Sequence, residues 1–196
     1  MENTLQNQLQ FIIEADKMKS IFRQTMVLDK TKFENNAEHS WHFALAAMTL
    51  VEYAGFDGVD INHVVKMAIL HDLVEIYAGD TPAFDISGNT DKDIREKEAA
   101  DKVFSLLPPM QAAEYRSLWE EFDAMETPSA RYAAAIDRIL PFMSNHLVDG
   151  HSWQKYNVTK AQVLGRMAIV ETAIPSLWPF VISAVEQGCK DGYIKL

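Results

Sequence analysis

The sequence predicts an all-α, single-domain helical bundle. Three observations carry that expectation: apolar residues recur at spacings of three and four through most of the chain, Pro and Gly punctuate those runs, and no alternating strand pattern or internal repeat is found. At 196 residues the chain suits one domain with a sizeable core, and 48% hydrophobic with 23% charged residues is an ordinary globular composition.

The elements follow in order. Leu5, Leu9, Phe11, Ile12, Ile13, Met18 and Ile21 form one stripe of a first helix, with Thr4 placed to cap it. Phe22 to Lys32 has no clear period, carries Arg23, Lys30 and Lys32, and reads as an irregular connection. A second helix is expected from about Asn36 to Ala54, packing Trp41, Leu45, Met48, Leu50 and Val51, with Gly55 ending it. Asp60 caps a third, Ile61 to Tyr77, broken by Gly79 and Pro82 in a loop that reaches Asn89. A fourth helix, about Asp91 to Leu107, alternates Lys/Arg with Glu on a solvated face. Pro108-Pro109 stops it, and Pro109 starts a fifth, to about Ala124. Thr127-Pro128 is a cap followed by proline at the first helical position, opening a sixth helix with a kink expected at Pro141. Two more helices, roughly Thr159–Thr172 and Leu177–Gly188, flank Pro175.

A formal net charge of −10 and the lack of a basic stripe argue against nucleic acid as partner. Cys189 is the only cysteine, so neither an intrachain disulfide nor a thiolate zinc cluster can form. The N-terminal residues lack the basic start and apolar core of a signal peptide, and no stretch approaches the ~18 apolar residues of a membrane span. A cytoplasmic protein without membrane contact is the expectation.

The chemistry-bearing residues centre on His71-Asp72, near the end of an apolar helical run. A buried His-Asp doublet is costly unless something offsets its desolvation, and a divalent metal is a common such partner. His39 stands early on the second helix and Asp137 on the sixth, giving the order H…HD…D on three helices that can aim at one point in a bundle. Two imidazoles and two carboxylates suit Mn, Co, Fe, Ni or Zn, and suit Mg less well. Taken singly, each of the four has a packing or capping explanation; their joint placement favours metal. His42, three residues from His39, reads as a packing histidine ahead of a ligand. His146, His151 and Trp153 read as surface or loop-packing residues.

The segments Glu34-Asn35…Ala37-Glu38-His39-Ser40, His71-Asp72-Leu73-Val74-Glu75…Gly79-Asp80-Thr81-Pro82 and Ala135-Ile136-Asp137-Arg138 resemble the HD-domain metal-dependent phosphohydrolases. Within them, the chain is most similar to the 5'-deoxynucleotidase branch. The resemblance spans about residues 9–145, the expected metal-binding core, with C-terminal helices over about 157–190 completing a single domain of 1–196. It implies His39, His71, Asp72 and Asp137 as metal ligands and Glu75 and Asp80 as catalytic carboxylates, which in some relatives hold a second ion instead. Spacing agrees for Glu75: three residues after Asp72 and four after His71, it lies over the same helical face. Arg23 matches the family arginine before the first ligand and can fork onto a phosphate, with Asp80 and Thr81 beside the substrate. Gln24 follows Arg23 where one subgroup has a tryptophan against the sugar 2' position, so both deoxyribo- and ribonucleoside 5'-monophosphates are expected substrates.

Extra histidines needed for a two-iron site are missing from Leu73 to Ile136. The alternatives are hydrolysis of another phosphate ester or a nucleoside triphosphate, and a nucleotide-binding module without turnover. Phe104, Trp119 and Phe122 suit either a homodimer contact or a core.

Overall fold

The computed structural model describes residues 2–196. Helix α1 (Glu2–Ala15) runs into a 3-10 turn (Asp16–Ser20) and then into an antiparallel hairpin, β1 (Phe22–Met26) and β2 (Phe33–Asn35). Helices α2 (Asn36–Leu50), α3 (Ile61–Leu70), the short α4 (Glu75–Ala78), α5 (Lys92–Phe104), α6 (Pro109–Ala124), α7 (Pro128–Leu147), α8 (His151–Lys155), α9 (Lys160–Ala173) and α10 (Trp178–Lys190) follow. The all-α bundle expected from the sequence is what forms. None of its helices, among the described residues, is long and apolar enough to cross a membrane.

Several boundaries are set by side-chain caps. Asn35 accepts from the Glu38 backbone N–H while Glu38 reaches back to the Asn35 N–H, a reciprocal box that fixes the start of α2 three residues before His39. Asp60 caps α3 and Thr127 caps α7, with Pro128 at its first position. Thr159 and Gln162 make a second box at α9. Thr4, expected as a cap, lies inside α1, which begins at Glu2.

Helix α7 is the central column. Tyr132, Ile136 and Ile139 on it are wholly buried, and it packs on α2, α3, α6 and α9. The buried Tyr132 hydroxyl donates to the Ala47 carbonyl at 2.8 Å, tying α7 to α2. α10 packs on α9 and on α7.

Three expectations need correction. The segment after the first helix is a hairpin, not an irregular connection: Phe22 pairs with Asn35 and Met26 with Phe33, and the register shifts between those pairs. Strands this short and irregular carry no readable alternation. The face assigned to the second helix is also reversed. Trp41 is 67% exposed and Met48 52%, whereas His39, Phe43 and Ala47 are fully buried. A helix with apolar residues on both sides cannot be phased by hydrophobicity, and the buried polar residues Asn36, His39 and Ser40 lie on the inward side. The first helix errs likewise: Leu5, Leu9, Ile12 and Ile13 face outward while Phe11 and Met18 are buried. Of the two roles open to Phe104, Trp119 and Phe122, the structure takes the core one: Phe104 and Trp119 are buried, and Phe122 packs on His71 and Phe43.

Gly55 follows the 3-10 turn Val51–Tyr53 that closes α2, and its role is close approach. Its N–H donates to the Ala173 carbonyl at 2.9 Å, and a Cβ there would sit 2.3 Å from the Thr172 carbonyl oxygen. Gly55→Ala is expected to lower stability by about 1–3 kcal/mol. Gly165→Ala, where a Cβ meets nothing within 4 Å inside α9, is expected to raise it by about 0.5–1 kcal/mol. Urea denaturation midpoints of the two variants check both signs.

Candidate metal centre

The doublet sits where the third helix changes character. The expected single helix from Ile61 to Tyr77 is α3, a 3-10 turn His71–Val74, and α4. A 3-10 turn eclipses residues three apart, so Asp72 and Glu75 stack more directly than on an α-helix. Asp137 is also locally distinct: Pro141, four residues on, has no N–H to give the Asp137 carbonyl, yet α7 runs on to Leu147.

Four expected ligands converge. Ligand atoms of His39, His71 and Asp72 lie within 4.8 Å of one another. Asp137 Oδ1 is 2.9 Å from His39 Nε2 and 3.8 Å from His71 Nε2. His71 Nδ1 points at the Ala68 carbonyl at 3.0 Å, an acceptor, which assigns the proton to Nδ1 and leaves Nε2 as a lone-pair donor. That Nε2 is buried, 3.0 Å from Asp72 Oδ1, and as a lone pair it has no hydrogen to give that oxygen. On the other side of His39, Nδ1 lies 3.5 Å from Glu34 Oε2. A carboxylate behind a histidine fixes its tautomer and orientation. An orphaned buried imidazole nitrogen facing two carboxylates and a second imidazole fits a borderline divalent ion, so the residues present match the group that the sequence implies.

The electrostatics describe the same set without the ion. Burial pushes the Asp72 carboxyl up, but Arg23, and His71 wherever its ring carries charge, outweigh it and hold Asp72 well below the usual carboxylate range. Burial is likewise overcome at Asp137 by His39 and then His71. For His39, burial and Arg23 favour the neutral ring, while Asp137 and Glu34 win and raise its pKa.

Glu75 behaves oppositely. It is 7% exposed, and burial together with Asp72 and Asp80 raises its pKa well above the ordinary value, against the opposing pull of Arg23. Asn36, wholly buried, donates from Nδ2 to Glu75 Oε2 at 2.5 Å. Asp80 is also raised, by burial first. The loop that carries Asp80 is held by Arg95, which donates to the carbonyls of Ala78 (2.7 Å) and Gly88 (2.8 Å) and to Thr81 Oγ1 (3.1 Å). Arg23 reaches the site from β1: its Nη1 donates to Asp72 Oδ2 at 2.5 Å and its Nε lies 3.8 Å from Glu34.

A cavity of about 170 Å³, open on one side, lies in front of this cluster. Arg23, Asp72, Glu75, Asp80, Thr81 and Asp137 all line it, as do apolar side chains from Phe84, Phe142 and Trp153. His42 is exposed and stacks on Trp41, away from the cluster. His146 packs on Phe180 and His151 on Phe33. Sequence reasoning missed Glu34, Asn36 and Arg95. For Asn36 a signal existed: Asn35 already caps α2, so a second asparagine in its first turn has no local task.

Comparison with known proteins fits this picture. The HD domain family model matches residues 15–178. The chain is 27% identical over 143 residues to a 5'-deoxynucleotidase HDDC2 of Danio rerio, covering 72% of this chain and 70% of that one. It is 27% identical over 131 residues to the Homo sapiens 5'-deoxynucleotidase HDDC2, covering 66% and 62%. The crystal structure of a predicted metal-dependent phosphohydrolase from Magnetospirillum magnetotacticum superposes with a TM-score of 0.93 at 42% identity, covering 100% of this chain and 97% of that one. An HD-domain phosphohydrolase of Listeria innocua shares the fold, with a TM-score of 0.55 at 20% identity over 92% of this chain and 85% of that one.

His71→Ala and Asp137→Ala are each expected to abolish stoichiometric metal uptake, measured by elemental analysis after Mn loading and desalting. Metal should raise the thermal midpoint of the wild type and leave both variants unmoved.

Proposed function

We propose that this chain, which belongs to the HD-domain family, is a metal-dependent phosphoric monoester hydrolase that converts deoxyribo- and ribonucleoside 5'-monophosphates to nucleoside and phosphate. The observation that carries the reading is the convergence of His39, His71, Asp72 and Asp137 beside a cavity that also holds a buried Glu75 whose surroundings raise its pKa. The names of the 5'-deoxynucleotidase relatives supply the substrate class.

In this reading the four residues hold one divalent ion, with Mn, Co, Fe, Ni or Zn favoured over Mg by the two imidazoles. What such an ion supplies here is Lewis acidity toward the phosphate and an acidified water as nucleophile. The residues do the rest. Glu75 keeps its proton because its surroundings disfavour a charge, so it can donate to the 5'-oxygen as the P–O bond breaks and the water oxygen bonds to phosphorus. Asn36 fixes that carboxyl on one oxygen and leaves the other toward the cavity. Asp80 takes the water's proton or orients it, on a loop that Arg95 keeps in place. Arg23 both steadies Asp72 and presents guanidinium charge to the phosphate, and Thr81 lies beside it on the wall. Glu34 lies behind His39, 3.5 Å from its Nδ1, and favours the charged ring. Phe84, Phe142 and Trp153 offer apolar contact for the base. The free, half-buried Cys189 suits a reducing cytoplasm. A homodimer would use the outward apolar faces of α1 and α2.

A phosphate-release screen of ribo- and deoxyribonucleoside 5'-monophosphates after EDTA treatment and metal add-back tests this. Turnover should vanish with EDTA and return with Mn or Co, and no release from any monophosphate would overturn it. Glu75→Gln is expected to keep bound metal and nucleotide but lose turnover by about a hundredfold or more. In the wild type, activity should fall as pH rises through the raised pKa of Glu75, because the acid is active only while protonated.

A further inference from the structure

The cations of the cavity are not equally committed. Arg23 donates to Asp72, and Lys92 lies 3.3 Å from Glu96. Arg138 donates to the Arg166 carbonyl and to Met125 Sδ, each at 3.1 Å. Arg166, from α9, lines the same cavity and pairs with no carboxylate among the described residues; Asp137 is the acid whose field reaches it. Burial opposes its charge, Asp137 supports it, and Arg138 and Arg23 oppose it again. A half-buried guanidinium that lines one cavity with two others and pairs with no carboxylate among the described residues is a costly arrangement unless an anion joins them.

Its location gives the anion a place. Arg138 and Arg166 form the wall that the cavity shares with a shallower outer pocket, together with Ala83 and Phe84 of the loop after α4. Gly165 lines that outer pocket, and the space where its Cβ would lie is open for 4 Å, so room persists next to Arg166. The hydrogen bond from Arg138 to the Arg166 carbonyl anchors this turn of α9 on α7, directly after Asp137.

We propose that Arg166 is a phosphate-binding residue, positioned by Arg138, which receives the substrate's phosphate dianion opposite Arg23 and retains the inorganic phosphate product at the wall between the two pockets. The proposal rests on the hydrolase reading for the identity of the anion. Guanidinium is suited to the task because its planar fork matches two phosphate oxygens while its charge persists at every working pH.

The test titrates inorganic phosphate into Mn-loaded wild type, Arg166→Gln and Arg166→Lys by calorimetry. Thymidine and deoxyadenosine inhibition and bound metal are measured alongside. Arg166→Gln should weaken phosphate binding about ten- to a hundredfold, raise KM for a nucleoside 5'-monophosphate in parallel, and leave nucleoside inhibition and metal content unchanged; Arg166→Lys should fall between. Unchanged phosphate affinity in Arg166→Gln overturns the proposal. So does joint loss of metal, nucleoside and phosphate, which marks a structural residue, and so does a wild type that binds no phosphate. A wild type that binds phosphate through Arg166 but hydrolyses no monophosphate sustains this subsite while removing the hydrolase reading, so the two failures are separable.

Discussion

The structure depends on placing two aspartates and two histidines in the same low-dielectric spot. His39, His71 and Asp72 are nearly or wholly buried, and Asp137 is held by His39 at 2.9 Å. Carboxylates taken out of water must find opposite charge, and imidazoles beside them must carry a proton or share a cation. Much of the surrounding architecture serves that demand. The capping box on Asn35 starts α2 at the residue that sets the phase of His39. The 3-10 turn brings Asp72 and Glu75 into line. Tyr132 ties α7 to α2, fixing the column on which Asp137 stands.

The same crowding of charge separates the roles of acids that look alike. Asp72 and Asp137 are held ionised by imidazole and guanidinium neighbours, which is what a ligand requires. Glu75, three residues from Asp72, faces burial and two other carboxylates instead, and these raise its pKa. One pocket thus contains acids whose pKa values are driven in opposite directions, separated by environment rather than residue type. Arg23 is the pivot: it supports Asp72, opposes the rise at Glu75, and lies near Glu34, which itself backs His39.

Much of this site is legible in the chain itself. His71-Asp72 at the end of a helix capped by Asp60 and Asp137 in a helix opened by Thr127-Pro128 lie on elements with clear start signals, and His39 lies early on a helix expected from about Asn36. Glu75 follows from spacing. Legibility fails where information is not local. The hairpin escaped because strands of five and three residues give no period. Glu34 and Arg95 gained their tasks from residues brought close only by folding, and Arg166 stands out only once every other cation of the cavity has been assigned a partner.

By itself the sequence determined the helical class, the order and caps of the main helices, and the residue types able to bind a divalent ion, because propensity, capping and spacing act over a few residues. Only the tertiary structure decided which face of α1 and α2 turns inward, that His71 Nε2 sits between Asp72 and Asp137, and that Glu75 rests on Asn36. Those outcomes arise from packing and desolvation summed over helices distant along the chain. A helix apolar on two sides, like α2, is oriented by its neighbours and by the polar groups it must keep satisfied, and no local pattern encodes either.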